Sequence, residues 1–304
     1  MDNSNLAIVF PGQGSQTIGM MDSFIKLDGK VKDIFNISSK ILGYDILEII
    51  TDGPQEKLNS TEVTQPAILL TSYAAWLLWK MKSNSNPIAL AGHSLGEYTA
   101  LLCAGVISLE DAVHLVSERG KYMQQAVPTD VGAMAAVLGL NDKQIEKICA
   151  EVSEGEVLSA ANYNSPKQIV VSGHKSAVTR LIEISKKSGA KRAILLPVSV
   201  PSHCALMKDA AENFSALVDQ IEFKTAEIPI VQNVDAKMKT KPEQIKPALI
   251  KQLYEPVRWV ETIEAIHKLR ATKIIECGPG KVLTGLIKRI ENSFELFSID
   301  DELS

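Results

Sequence analysis

Ile88-Ala-Leu-Ala-Gly92-His93-Ser94-Leu95-Gly96-Glu97 leads from a short apolar run through a glycine-flanked serine into a second apolar run that reaches Ala104. Ile88–Ala91 reads as a strand, Leu95–Ala104 as a helix and Gly105 as the residue that caps it. The link between them fits Gly-x-Ser-x-Gly, the pattern of a serine held on a strained strand-to-helix turn. Glycines two residues to either side let the backbone turn tightly, and the helix start offers unpaired N–H groups with a partial positive charge. On that reading the Leu95 N–H points at an oxyanion formed when Ser94 attacks a carbonyl. A glycine-rich turn with no chemistry is the other reading of the same residues.

Outward from this turn, Leu6–Phe10 is a continuous apolar run stopped by Pro11-Gly12, as expected of a central parallel strand buried on both faces. Ala67–Met81 reads as a buried helix with Pro66 in its first turn, and Ser108-Leu-Glu-Asp111 as the cap of a helix reaching about Gln125. The middle of the chain gives strand Ala133–Leu138, helix Asp142–Val152 capped by Asn141, and strands Val157–Asn162 and Ile169–Ser172. Helix Ser176–Ser188 and strand Ala193–Val198 complete a βαββαβ order. A helix from about Ser202 and strands at Ile228–Val231 and Lys273–Glu276 resume the first body. The expected fold is therefore α/β: a hydrolase-like body with a central, largely parallel sheet over 1–127 and 199–304, and an inserted ferredoxin-like subdomain over 128–198.

The chain has 304 residues and 33.1 kDa, enough for a sizeable core. Lys plus Arg number 32 against 36 Asp plus Glu, a net charge of −4, which does not fit a nucleic-acid-binding domain. No apolar run approaches the roughly 18 residues that span a bilayer, and Leu6–Phe10 is too short for a signal-peptide core, so a cytoplasmic protein with no membrane partner is expected. Cys103, Cys149, Cys204 and Cys277 are far apart and encode neither a disulfide framework nor a metal site; they read as buried thiols.

A serine nucleophile needs a base. His93 adjoins Ser94 at a strand end, where neighbouring side chains diverge; His114 and His267 lie on amphipathic helices, and His174 follows Gly173 in a turn. His203 remains, in Val198-Ser-Val-Pro-Ser-His203, where a strand breaks at Pro201 and Ser202 is placed to cap a helix. The positive end of that helix would keep the imidazole neutral; a helix-start histidine without chemistry fits the same residues. The chain shows no acidic third member in the Ser…Asp…His order, and a backbone carbonyl could orient the ring instead. Arg119 falls inside the apolar stripe Leu109, Ala112, Val113, Val116 and Met123, where a guanidinium is costly unless paired. Its partner is either a buried internal carboxylate or the carboxylate of a ligand, which Arg grips with two parallel hydrogen bonds.

Together these residues resemble the malonyl-CoA:acyl carrier protein transacylases of bacterial fatty-acid synthesis, along essentially the whole chain. The matching segments are Phe10-Pro-Gly-Gln-Gly-Ser-Gln16, Thr64-Gln-Pro-Ala67, Gly92-His-Ser-Leu-Gly-Glu97, Arg119-Gly120, Gly132-Ala-Met-Ala135, Val200-Pro-Ser-His203 and Cys277-Gly-Pro-Gly-Lys281. The resemblance implies Ser94 as the acyl-accepting nucleophile, His203 as its base, and the backbone amides of Gln13 and Leu95 as the oxyanion hole. It further implies that Arg119 binds the malonyl carboxylate and that the main-chain carbonyl of Gln252 orients the histidine. Malonyl-CoA and acyl carrier protein are the implied substrate and partner, with no metal or cofactor beyond the phosphopantetheine the partner carries. Because that partner is acidic in the family, Lys191-Arg192 and Lys288-Arg289 are candidate docking pairs. A serine esterase or thioesterase would share Ser94, His203 and the oxyanion hole, and the carboxylate grip of Arg119 sets it apart; a non-catalytic interaction protein would keep the fold, and the filled catalytic positions set it apart.

Overall fold

The computed structural model describes residues 5–22, 29–128, 130–198 and 200–303. Residues 129 and 199, near the two expected boundaries of the insertion, lie outside the described residues. The chain folds as α/β with a mostly parallel six-stranded sheet. Strand β1 (Leu6–Phe10) lies between β2 (Ala89–Gly92) and β9 (Lys273–Glu276), parallel to both. Next to β2 comes β7 (Ile230–Val231) and next to β9 comes β10 (Glu295–Ser298), again parallel; β8 (Met238–Lys239) closes one edge antiparallel to β7.

The apolar run at β1 is continuous because both faces of the strand are covered. Leu6, Ile8 and Phe10 pack into the cluster formed by the Thr61–Lys82 and Leu109–Gln125 helices, while Ala7 and Val9 face Trp259, Ile263 and Leu286. The carboxyl ends of the parallel strands all open on one edge, and the segments that follow β1, β2 and β7 carry Gln13, Ser94 and Asn233 there.

A second sheet of four strands contains β3 (Gly132–Leu138), β4 (Leu158–Ser165), β5 (Gln168–His174) and β6 (Arg192–Leu195) in the spatial order β4-β5-β3-β6, every neighbour antiparallel. The helices Asp142–Val152 and Lys175–Lys187 cover one of its faces through Ile145, Ile148, Val178 and Leu181. Met134, Ala136 and Val170, on the other face, line a cavity against the first sheet.

Four local expectations need correction. The long helix begins at Thr61, so Pro66 sits in its second turn, where the missing N–H leaves the Glu62 carbonyl without its usual donor. Strand β6 ends at Leu195 rather than Val198, two residues before Pro197, which cannot donate to a ladder. The strand expected at Ile228–Val231 is confined to Ile230–Val231; Pro229 has no N–H, and its carbonyl accepts from Leu90. No helix starts at Ser202: a 3-10 turn spans Ala205–Met207 and the α-helix runs from Lys208 to Gln220. His203 instead adopts a left-handed conformation (φ 61°), and its N–H is drawn 3.0 Å from the Leu253 carbonyl, a contact from fifty residues away in sequence.

Candidate active site

The turn at Ser94 is built by close backbone contact. A Cβ on Gly92 would overlap the main chain of Gly96, and one on Gly96 would overlap the Phe10 carbonyl, so β2 and the Gly96–Cys103 helix approach as they do because neither residue has a side chain. Ser94 takes φ 52°, a conformation that costs a residue with a Cβ about 1–2 kcal/mol. Asn233 holds it there. Its Oδ1 accepts the Ser94 N–H at 2.7 Å and its Nδ2 donates to the Gly92 carbonyl at 2.6 Å. The helix then ends as expected at Gly105 (φ 71°), with Gly105 N–H to Leu102 and Val106 N–H to Leu101 satisfying the last carbonyls.

Ser94 Oγ lies 2.8 Å from His203 Nε2, and His203 Nδ1 lies 2.7 Å from the main-chain carbonyl of Gln252. A carbonyl only accepts, so Nδ1 carries the proton of the neutral ring and Nε2 presents its lone pair to the serine hydroxyl. Burial pushes the His203 pKa down to about 3, and the nearby Arg119 charge adds to the shift, while the Gln252 carbonyl opposes it. The ring is thus kept neutral by desolvation and a neighbouring cation, not by the helix terminus that the sequence led us to expect.

Arg119 is 2 % exposed. Its Nη1 donates to Gln65 Oε1 at 2.7 Å, and its Nη2 to Gln252 Oε1 at 3.1 Å and Ser94 Oγ at 3.3 Å; the Tyr98 ring lies 5.2 Å beneath it. These acceptors are two amides and a hydroxyl. No carboxylate shares a hydrogen bond with the guanidinium among the described residues, so its charge stays uncompensated by contact and stands beside the serine oxygen.

Ser94, His203, Arg119, Gln13 and Leu95 line one cavity of about 570 Å³, and Gln252 lies directly behind it. Among the described residues, the amide N–H groups of Gln13 and Leu95 donate to no protein acceptor, whereas that of Ser94 is taken by Asn233. His114 and His267 are exposed on helices, as expected. Two expectations need correction: His93 does not turn away from Ser94 but lines the same cavity, its Nε2 2.7 Å from Asn164, and His174 is not in a turn but ends strand β5, where its Nδ1 accepts from the Val157 N–H. All four cysteines are buried free thiols. Lys191, Arg192, Lys288 and Arg289 are exposed; Arg289 donates to Gln168, which lines the cavity, at 2.6 Å.

Sequence reasoning gave no role to Gln65, Asn233 or Glu97. Gln65 and Glu97 both lie in segments that carry the family resemblance, and Gln65 is also, like Arg119, a polar residue on a buried helix face; Asn233 carried no signal beyond its place after a strand. Glu97 is 1 % exposed, and burial raises its pKa to about 7.

A family model described as the acyl transferase domain matches residues 7–295. The chain is 48% identical over 298 residues to the malonyl CoA-acyl carrier protein transacylase of Escherichia coli strain K12, across 98% of this chain and 96% of that one. It is similar in structure to an acyl carrier protein S-malonyltransferase from Vibrio cholerae, with 51% identity, a TM-score of 0.94, and coverage of 97% and 96%. A malonyl-transacylase solved in complex with a type II PKS acyl-carrier protein is 48% identical, with a TM-score of 0.94 and coverage of 97% and 94%.

Proposed function

The chain belongs to the acyl transferase domain family and, within it, to the malonyl-CoA:acyl carrier protein transacylases, and we propose that it carries malonyl from malonyl-CoA to the phosphopantetheine thiol of acyl carrier protein through an ester on Ser94. The observation that carries this reading is the placement of Ser94 Oγ between an accepting imidazole nitrogen at 2.8 Å and a buried guanidinium at 3.3 Å.

The reaction runs in two half-steps of a ping-pong cycle. Ser94 Oγ attacks the thioester carbon as His203 Nε2 takes the hydroxyl proton; the C–S bond then breaks, and His203 returns the proton to the departing CoA thiolate. The pantetheine thiol of the carrier protein enters the same cavity, gives its proton to His203, and its sulfur attacks the ester carbon and displaces Ser94 Oγ, which recovers the proton. The free amides of Gln13 and Leu95 hold the oxyanion in each tetrahedral intermediate, where one such donor is typically worth about 3 kcal/mol. Arg119 grips the malonyl carboxylate and aligns the thioester carbon on Ser94. The Gln252 carbonyl takes the place of the missing acid by fixing the histidine tautomer. This scheme calls for no metal and no cofactor besides the pantetheine borne by the partner.

The strand order β4-β5-β3-β6 supports reading 128–198 as a ferredoxin-like subdomain set into a hydrolase-like body, 1–127 and 199–304. The exposed pairs Lys288-Arg289, of which Arg289 is bonded to the cavity-lining Gln168, and Lys191-Arg192 would serve the acidic carrier protein. No helix among the described residues is long and apolar enough to cross a membrane, and we place the protein in the cytoplasm with the other soluble steps of fatty-acid synthesis.

Intact-mass measurement after incubation with malonyl-CoA tests the reading. A stable malonyl ester that is absent from a folded Ser94→Ala variant and is discharged by carrier protein supports it. Rapid release of free malonate would instead mark a thioesterase, and no acylation at all a binding role.

A further inference from the structure

None of the steps above uses the buried carboxylate of Glu97. Its Oε2 accepts from the Gln252 side-chain Nε2 at 3.1 Å and from the Asn233 main-chain N–H at 2.9 Å. Gln252 touches three parts of the site at once: Nε2 also donates to the Ser94 carbonyl at 2.9 Å, Oε1 accepts from Arg119 Nη2 at 3.1 Å, and its main-chain carbonyl holds His203.

A primary amide presents a donor on one side and an acceptor on the other, and a half-turn of its last torsion exchanges them. Glu97 Oε2, which receives two N–H groups, and the Ser94 carbonyl are both acceptors, so together they hold Nε2 on their side and turn Oε1 toward the guanidinium. In the reversed amide, the NH2 would oppose the N–H groups of Arg119. Set one amide away from Arg119, Glu97 in its ionised form also steadies the cation without occupying the face that meets the cavity. Asn233, pinned by its main chain to the same Oε2, holds the Ser94 N–H.

We propose that Glu97 is a positioning residue that fixes the Gln252 amide, and through it keeps Arg119 Nη2 beside Ser94 Oγ. The proposal rests on the reading that Arg119 receives the acyl carboxylate, so its signature is acyl selectivity rather than general loss of activity.

The test compares single-turnover acylation of Ser94 by malonyl-CoA and by acetyl-CoA. In Glu97→Ala, malonylation should fall about tenfold more than acetylation, with a raised KM for malonyl-CoA. Glu97→Gln keeps an accepting oxygen and should restore the selectivity to within about threefold of the unaltered protein. A folded Glu97→Ala with unchanged selectivity, or a Glu97→Gln as impaired as the alanine variant, overturns the proposal. If Glu97→Ala does not fold, Gln252→Met, which retains Glu97 and the main-chain carbonyl, must show the same malonyl-selective loss; equal loss with both donors, or none, overturns it. An unaltered protein that malonyl-CoA does not acylate overturns the functional reading and this proposal together, whereas normal acylation with no selectivity change in the variants overturns this proposal alone.

Discussion

Arg119 is buried against neutral acceptors and ends beside the serine oxygen, an arrangement that leaves its positive charge with no carboxylate in contact among the described residues. A charged hydrogen-bonded pair with a substrate carboxylate is worth about 1.5–3 kcal/mol, so Arg119→Ala should slow malonylation on the order of ten- to a hundredfold while sparing acetyl-CoA. Equal loss with acetyl-CoA would refute the carboxylate role. Burial, with the same cation adding to it, lowers the pKa of His203 to about 3, well below the 6.5 of a free imidazole. A base with a lowered pKa loses its accepting form only at lower pH, so kcat/KM for malonyl-CoA should stay level as pH falls from 8 through about 6.5, with its acid limb lying below pH 5. An inflection near 6.5 would show that the ring is not desolvated in the free enzyme. At this scale the sequence disclosed Ser94 through its flanking glycines and Arg119 through a charge in an apolar stripe. The roles of Glu97 and Asn233 stayed hidden, although Glu97 stands in a quoted motif, because they are hydrogen bonds to residues more than 130 positions away.

Elements whose cause is local were legible to the residue. Asn141 caps Asp142–Val152 through a reciprocal pair with Gln144, and Ser108 accepts from the Asp111 N–H, because these partners lie three residues apart. The segment at His203 was misread because its conformation is set by the distant Leu253 carbonyl and not by Pro201 or Ser202. This division between local and remote causes also separates two expected stability effects. Asn141→Ala should lower the unfolding free energy in urea by about 1 kcal/mol and leave acylation unchanged. Gly96→Ala places a methyl group against the Phe10 main chain, which has no rotamer with which to yield, so a loss of at least about 3 kcal/mol or failure to fold is expected. A Gly96→Ala protein of near-normal stability would mean that β1 and the Gly96–Cys103 helix do not depend on that close approach.

The whole molecule brings its site together from two sheets: Ser94 and Gln13 follow strands of the parallel sheet, while Met134, Ala136 and Val170 wall the cavity from the antiparallel one. The sheet types and the βαββαβ order were legible from hydrophobic periodicity, but their mutual placement, which makes the cavity, depends on contacts no periodicity encodes. At this scale charge also acts as a field. The chain carries −4 overall, so an acidic carrier protein meets it against a mean repulsion, and productive encounter requires a locally positive rim. On the proposed reading Arg289, bonded to the cavity-lining Gln168, and its neighbour Lys288 would supply such a rim, and Arg192 lies across from Leu138 in the same row of the sheet as Gln168. Raising the ionic strength should therefore raise the KM for carrier protein, because exposed charges are screened over about 8–10 Å at physiological salt. Reversing both rim charges, Lys288→Glu with Arg289→Glu, should raise that KM at low salt by about three- to tenfold and flatten its salt dependence. Acylation by a small malonyl thioester without phosphates, which needs no rim, gives the control for an intact site. If KM does not respond to salt in the unaltered protein, docking is carried by apolar contact around the mouth, where Val282 stands exposed, and the electrostatic account fails.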